Sequence, residues 1–77
     1  SVLMDIQWKD HIESSPGVLK GKPRVKGTRI PVSLILRYLA SGSSPDEIIK
    51  EFPDLTAKDI SACLVYARDF SDFEVAA

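Results

Sequence analysis

The 77-residue sequence predicts a mainly α-helical domain in which a short N-terminal β hairpin precedes three helices. Between residues 19 and 26 the side chains alternate in character with a period of two, which is typical of extended chain. After Pro31 the apolar side chains recur at i, i+3, i+4 and i+7, which is the spacing of an amphipathic helix. Two later segments each begin with a helix-capping pattern, which predicts a second and a third helix.

The first 20 residues contain an apolar arm, a turn and two predicted strands. The arm covers residues 1–10, and we expect it to dock on the body of the domain or on a second subunit through Val2, Leu3, Met4, Ile6 and Trp8. The Ser-Ser-Pro-Gly sequence at residues 14–17 predicts a turn, because proline presets one backbone dihedral and glycine accepts a positive φ. This turn separates a strand around residues 11–13 from one around residues 18–20, and the two strands form the expected hairpin.

Basic side chains mark the segment that follows. An extended chain over residues 19–26 places four cations on one face, namely Lys20, Lys22, Arg24 and Lys26. Pro23 has no N–H for a β ladder, so this segment is an edge strand or an extended loop. Gly27 ends the alternation. We therefore expect four cations that point in the same direction.

Start and stop residues delimit the three predicted helices. The first begins at Pro31 and ends at Gly42. The second begins with the capping box at residues 44–47 and ends at Pro53, and the third begins with a variant of that box at residues 56–59 and runs to about Phe70. Their predicted apolar sides are, in order, Val32, Ile35, Leu36 and Leu39; Ile48, Ile49 and Phe52; and Ile60, Cys63, Leu64 and Ala67.

Only residues 53–55 join the second and third helices, which is a spacing that a helix-turn-helix requires. The predicted outward side chains of the third helix carry little net charge: Lys58, Asp59, Ser61, Ala62, Tyr66 and Arg68. Two roles for this motif remain possible. The third helix can recognise DNA bases, or the motif can serve mainly as part of the core or as a dimer contact. We expect a single domain over residues 1–77, with the arm (1–10), a hairpin and basic segment (11–30), a three-helix bundle (31–71) and a tail (72–77).

The two halves of the chain carry opposite charge, although the net charge is only −1. The segment from Val18 to Arg37 has six basic residues and no acid, which gives a local charge of +6. The segment from Asp46 to Glu74 has eight acids and three bases, which gives −5. Such a molecule attracts anions on one side and repels them on the other.

The composition excludes several classes of protein. A single cysteine, Cys63, excludes an internal disulfide framework and favours a reducing compartment, so we expect a cytoplasmic protein. His11 and Cys63 are the only histidine and cysteine, and they cannot build a closed zinc site. No apolar run approaches the roughly 20 residues that span a bilayer. We expect neither a cofactor nor a membrane association.

The sequence also lacks the residue patterns of an active site. Gly21-Lys22 does not form a phosphate-binding loop, because Pro16 replaces the first glycine of that motif and Pro23 replaces its serine or threonine. The acids at the starts of the second and third helices act as caps. His11 has neither a nucleophile nor an orienting partner nearby in the sequence. We therefore expect a protein without enzymatic activity.

Two interpretations of the basic residues remain in competition. Lysines on an exposed strand face protect a sheet edge from aggregation, and this structural interpretation needs no ligand. In the functional interpretation, the same cations contact DNA phosphates beside a helix-turn-helix. Five cations within ten residues, with no acid among them, exceed what edge protection requires: Lys20, Lys22, Arg24, Lys26 and Arg29. The functional interpretation is therefore favoured.

The run Gly21-Lys22-Pro23 followed by Gly27-Thr28-Arg29-Ile30-Pro31-Val32 resembles domain-of-unknown-function family 433, small bacterial proteins described as antitoxin-like. Arg24 stands where the family pattern has an apolar residue, which lengthens the basic run. Residues 41–48 and 52–56 also match the helix-start and turn patterns of the family, and the resemblance covers residues 11–70.

This resemblance implies a homeodomain-like or winged-helix arrangement of the three helices. It also implies a cognate small PIN-like nuclease toxin as partner, and DNA binding for self-regulation. The DNA-binding role carries over to Lys22, Lys26, Thr28 and Arg29, which match the motif directly. Arg29 has a structural alternative, because its guanidinium can pin the turn to helix-terminal carbonyls.

We therefore expect a cytoplasmic, homodimeric, antitoxin-like regulator that binds duplex DNA and a PIN-like nuclease toxin. The expected nucleic-acid contacts are Lys20, Lys22, Arg24, Lys26, Thr28, Arg29 and Lys58, and the expected partner or dimer contacts are Trp8 and Tyr66. The acidic helical half or the apolar arm would engage the protein partner. The alternative is a protein-interaction or dimerisation module that does not bind DNA.

Overall fold

The computed structural model describes residues 6–70, and it consists of a two-stranded antiparallel sheet followed by three helices. A short 3-10 helix at Trp8–Asp10 precedes the sheet. The elements are β1 (Ile12–Glu13), β2 (Arg24–Val25), α1 (Val32–Ala40), α2 (Pro45–Glu51) and α3 (Ala57–Phe70). This architecture confirms the predicted mainly helical fold with a short hairpin. The first half of the predicted arm, residues 1–5, and the predicted tail lie outside the described residues.

The hairpin pairs different residues from those predicted. In the sheet Ile12 lies opposite Val25 and Glu13 lies opposite Arg24. The turn over residues 14–17 is present, and an isolated β-bridge between Ser15 and Val18 closes it. The second strand, however, is β2 and not the segment around residues 18–20, so that part of the prediction is wrong.

A left-handed turn explains why the extended segment breaks after residue 18. Leu19, Lys20 and Gly21 have φ values of 52°, 56° and 80°, and together they form a short 3-10 turn. Extended chain requires negative φ, so three successive positive values end the alternation of side chains between two faces. The predicted face of four aligned cations is therefore absent.

Local sequence signals set the helix boundaries. The Ser44 N–H donates to Glu47 Oε1 at 2.9 Å and the Glu47 N–H donates to Ser44 Oγ at 3.2 Å, which is a complete capping box for α2. Thr56 and Asp59 make the same reciprocal pair at the start of α3, at 3.0 and 3.2 Å. Pro31 is the N-cap residue of α1, so this helix begins one residue later than predicted.

The core lies where the sheet and all three helices meet. Its largest fully buried side chains are Ile35, Ile48, Ile60, Val25 and Cys63. α3 packs against α1, α2, β1 and the 3-10 helix, so a large part of the circumference of this helix is buried. Ala62 is fully buried although the sequence predicted an outward position, and Leu64 is 40% exposed although an apolar, inward position was predicted. No helix within residues 6–70 has the length and apolar character to cross a membrane.

Candidate nucleic-acid interface

Residues 20–29, here called the basic loop, are held by several hydrogen bonds where they follow β2. The Thr28 hydroxyl donates to the Val25 carbonyl at 2.8 Å and accepts from the Ile30 N–H at 3.0 Å. The Thr28 N–H also donates to the Val25 carbonyl at 3.0 Å, and the Val25 N–H donates to the Ile30 carbonyl at 3.0 Å. Gly27 takes a φ of 80°, which suits glycine at this tight turn. Thr28 was predicted to contact nucleic acid, but its hydroxyl instead makes two hydrogen bonds that stabilise the loop.

Four of the predicted cations are exposed on this loop, namely Lys20, Lys22, Lys26 and Arg29. Within residues 6–70 none of the four forms an ion pair. The Arg29 guanidinium makes no hydrogen bond to any described residue, so it does not pin the turn to helix-terminal carbonyls. The loop therefore presents four solvated positive charges from a fixed backbone.

Arg24 differs from the other cations because it is only 8% exposed. Its Nη2 lies 3.3 Å from Glu13 Oε2, and both terminal nitrogens lie 3.4 Å from Ser15 Oγ. The cause is the register of the sheet, which places Glu13 directly opposite Arg24. The expectation that Arg24 belongs to a solvent-facing row of cations is wrong, because this charge is paired and buried.

Two shallow depressions bring predicted residues together. One of about 270 Å³ is lined by Val18, Arg24, Gly27, Thr28 and Arg29. The other, of about 310 Å³, connects Lys22 with Tyr66, and Pro23, Val32, Ser33 and Leu36 complete its lining. Lys58 lies in the first turn of α3 and lines neither depression. The residues of the motif are therefore divided between two depressions, and neither Lys26 nor Lys58 lines one of them.

The two predicted partner contacts meet each other in an aromatic cluster, formed by Trp8, Tyr66 and Phe70. The Trp8 ring lies edge-on to Tyr66 at 4.9 Å and to Phe70 at 5.3 Å between centroids, and Tyr66 stacks on Phe70 at 4.7 Å. Trp8 Nε1 donates to Asp69 Oδ2 at 3.1 Å. Phe70 remains 62% exposed. Sequence reasoning did not single out Phe70, although its position four residues after Tyr66 places both on one helix face.

The helix-turn-helix surface is poor in cations. The exposed charged residues of α2 are Asp46, Glu47, Lys50 and Glu51, so this helix is net acidic. DNA phosphates would be repelled by such a surface. Within residues 6–70, the basic loop therefore carries more exposed positive charge than α2.

His11 has a partner that sequence reasoning missed. Its Nδ1 lies 2.8 Å from Asp59 Oδ1, so β1 is tied to the N-terminus of α3. Because 48 residues separate His11 from Asp59, no local sequence pattern predicts this contact.

The pKa of the Cys63 thiol is raised to about 12. Burial is the larger cause, and the negative charge of Asp59 is the smaller one. Among residues 6–70, no three or more His, Cys, Asp or Glu side chains are grouped to hold a metal ion.

Comparisons with known proteins agree with the motif. The chain is 36% identical over 60 residues to the uncharacterized protein y4eO of Sinorhizobium fredii (strain NBRC 101917 / NGR234). That match covers 78% of this chain and 27% of y4eO, so the chain spans less than a third of that protein.

A solved structure shares the fold. The crystal structure of a DUF433 member protein from Anabaena variabilis ATCC 29413 superposes with a TM-score of 0.76 at 35% identity. The superposition covers 80% of this chain and 61% of the Anabaena chain. The sequence profile described as "Protein of unknown function (DUF433)" matches residues 12–67, which is more than half of the chain. With the motif, the fold and the profile in agreement, this chain belongs to the DUF433 family.

Proposed function

We propose that this chain is a homodimeric, antitoxin-like regulator that binds duplex DNA through the basic loop and a small PIN-like nuclease through a second surface. In this proposal the chain has no catalytic activity of its own. The observation that carries the DNA-binding part is the set of four exposed cations on the basic loop, none of which is paired within residues 6–70.

The rigidity of the basic loop supports this function. The Thr28 hydroxyl and the Val25–Ile30 hydrogen bond fix the backbone around Lys26 and Arg29. Cations on a preorganised backbone lose less conformational entropy when they bind than cations on a mobile tail. Phosphate contacts of this kind supply affinity that does not depend on base sequence.

A salt titration tests the DNA-binding function. We expect a short duplex of mixed sequence to bind with an affinity that falls between about 50 and 200 mM salt, at a slope of about −0.9 per phosphate contact. The Lys26→Ala variant should make this slope shallower by about one contact. The matched control is Lys50→Ala, which removes an exposed cation from the acidic helix α2 and should leave the slope unchanged.

The combined variant K22A/K26A/R29A sharpens the test. It should lose most of the affinity for every duplex sequence, because it removes three of the four exposed charges of the loop. Wild-type affinity in this variant, or equal losses in Lys26→Ala and Lys50→Ala, would contradict a DNA contact through the basic loop.

The aromatic cluster favours a second candidate function, a protein-interaction or dimerisation module without DNA binding. Phe70 of this cluster is 62% exposed, and large exposed aromatic side chains are common at protein interfaces. A wild-type protein that shows no salt-dependent DNA binding, yet associates through Phe70, would establish this alternative.

A further inference from the structure

One acidic side chain lies inside the otherwise basic surface. Glu13 stands opposite Arg24 in the sheet, and its Oε2 lies 3.3 Å from Arg24 Nη2. The same oxygen accepts a hydrogen bond from the Gly27 N–H at 3.3 Å. One carboxylate oxygen of Glu13 therefore contacts both Arg24 on β2 and the turn at Gly27 that follows β2.

We propose that Glu13 is a positioning residue that holds the basic loop in the conformation that contacts DNA. An acid thereby raises the affinity of a cationic surface for a polyanion. This inference rests on the proposed DNA-binding function, and it adds a residue that makes no contact with the DNA.

The contacts on both sides of Gly27 explain why one carboxylate has this effect. Thr28 fixes the loop on its C-terminal side through the Val25 carbonyl. On the N-terminal side the Gly27 N–H has Glu13 as its only hydrogen-bond partner among the described residues. The Lys26 N–H donates to the His11 carbonyl at 2.7 Å and does not depend on Glu13. Loss of the carboxylate therefore removes the contact that holds the turn at Gly27, next to Lys26, and it leaves the buried Arg24 charge without its counter-ion.

The direction of the effect separates positioning from simple electrostatics. Removal of an acid near the binding surface raises the local positive potential, so electrostatics alone predicts tighter DNA binding. Loss of a positioning contact predicts weaker binding, because the loop must then be ordered at the moment of association. The two interpretations differ in sign and not only in magnitude.

The experiment compares Glu13→Gln and Glu13→Ala with wild type in the salt titration. Glutamine keeps an acceptor for the Gly27 N–H but loses the charge, so its affinity should lie between those of wild type and alanine. We expect a loss of about threefold for Glu13→Gln and about tenfold for Glu13→Ala. The matched control is Glu51→Gln, which makes the same charge change on the exposed surface of α2 and should bind as tightly as wild type or tighter.

Amide hydrogen exchange gives a readout that does not depend on DNA. In Glu13→Ala, which has no acceptor for the Gly27 N–H, the Gly27 amide should exchange several-fold faster, while amides in the middle of α3 keep their wild-type protection. Equal acceleration at both places would show global destabilisation, and it would overturn a local positioning role. Circular dichroism at the titration temperature verifies that each variant is folded.

The outcomes are distinct. Weaker binding with a faster Gly27 amide supports the proposal, and equal or tighter binding of Glu13→Gln overturns it. A wild-type protein that does not bind DNA at low salt contradicts the proposed function itself, and with it the role of Glu13 in binding. The exchange result alone then decides whether Glu13 holds the loop.

Discussion

At the scale of single residues, burial decides which side chains can react. Cys63 is fully buried in the core, and burial together with the Asp59 charge raises the pKa of its thiol to about 12. The thiolate is the reactive form of cysteine. Cys63 therefore contributes to packing and is not a nucleophile near neutral pH.

We expect the native protein to resist thiol reagents at about pH 8, where its thiolate fraction is roughly a thousandfold below that of an exposed thiol with the ordinary pKa of 9.0. The same protein unfolded in guanidinium should label rapidly, which provides the control. As pH rises from 9.0 towards about 12, only the unfolded state releases this proton, so stability should fall. Fast labelling of the folded protein would contradict the burial of Cys63.

At the scale of elements, α2 is short enough to depend on its cap. It has seven residues, and a helix of this length is marginal in isolation. Hydrogen bonds from the Ser44 backbone N–H, and then from its side chain, lower the pKa of Glu47 below 4.5. The carboxylate half of the capping box therefore stabilises the fold above pH 4.5, and this contribution is lost as pH falls through the lower folded-state pKa.

The Ser44→Ala variant should lower the free energy of unfolding by about 1 kcal/mol, because the Glu47 N–H loses its acceptor. Urea denaturation at neutral pH measures this change. Ser43→Ala is the matched control, since no hydrogen bond of its side chain is present in the described residues, and it should change stability by less than about 0.5 kcal/mol. Equal effects of the two substitutions would exclude a special role for the cap.

At the scale of the whole molecule, three surfaces differ in character, and two of them adjoin because Lys22 of the basic loop and Tyr66 of the aromatic cluster line one depression. The basic loop carries four exposed cations, α2 is acidic, and the aromatic cluster joins the N-terminal 3-10 helix to the end of α3. These differences in charge and polarity favour a polyanion on the basic loop and a protein partner on the aromatic cluster.

We expect a small PIN-like nuclease to co-purify in stoichiometric amount from the native cell, identified by mass spectrometry. Phe70→Ser should reduce its recovery, because this substitution removes the exposed ring of the aromatic cluster. Leu64→Ser is the matched control: it removes another exposed apolar side chain from α3, about 120° around the helix. Recovery of the protein alone as a stable dimer would favour the interaction module.

Local signals predicted the helices well, and contacts between distant residues explain the errors. The capping boxes at Ser44 and Thr56 need only residues three apart, so both follow from the sequence. The choice of β2 as the second strand depends on pairing across a left-handed turn at Leu19, which no propensity indicates. The burial of Arg24 follows from that pairing, so it was invisible for the same reason.

The left-handed backbone at Lys20 sets a trade-off between stability and charge. A non-glycine residue at a φ of 56° costs about 1 kcal/mol, and glycine or asparagine there would relieve that cost. Either replacement would also remove one of the exposed cations. Engineering this position for a higher melting temperature would therefore weaken the electrostatic attraction that the loop exerts on a polyanion.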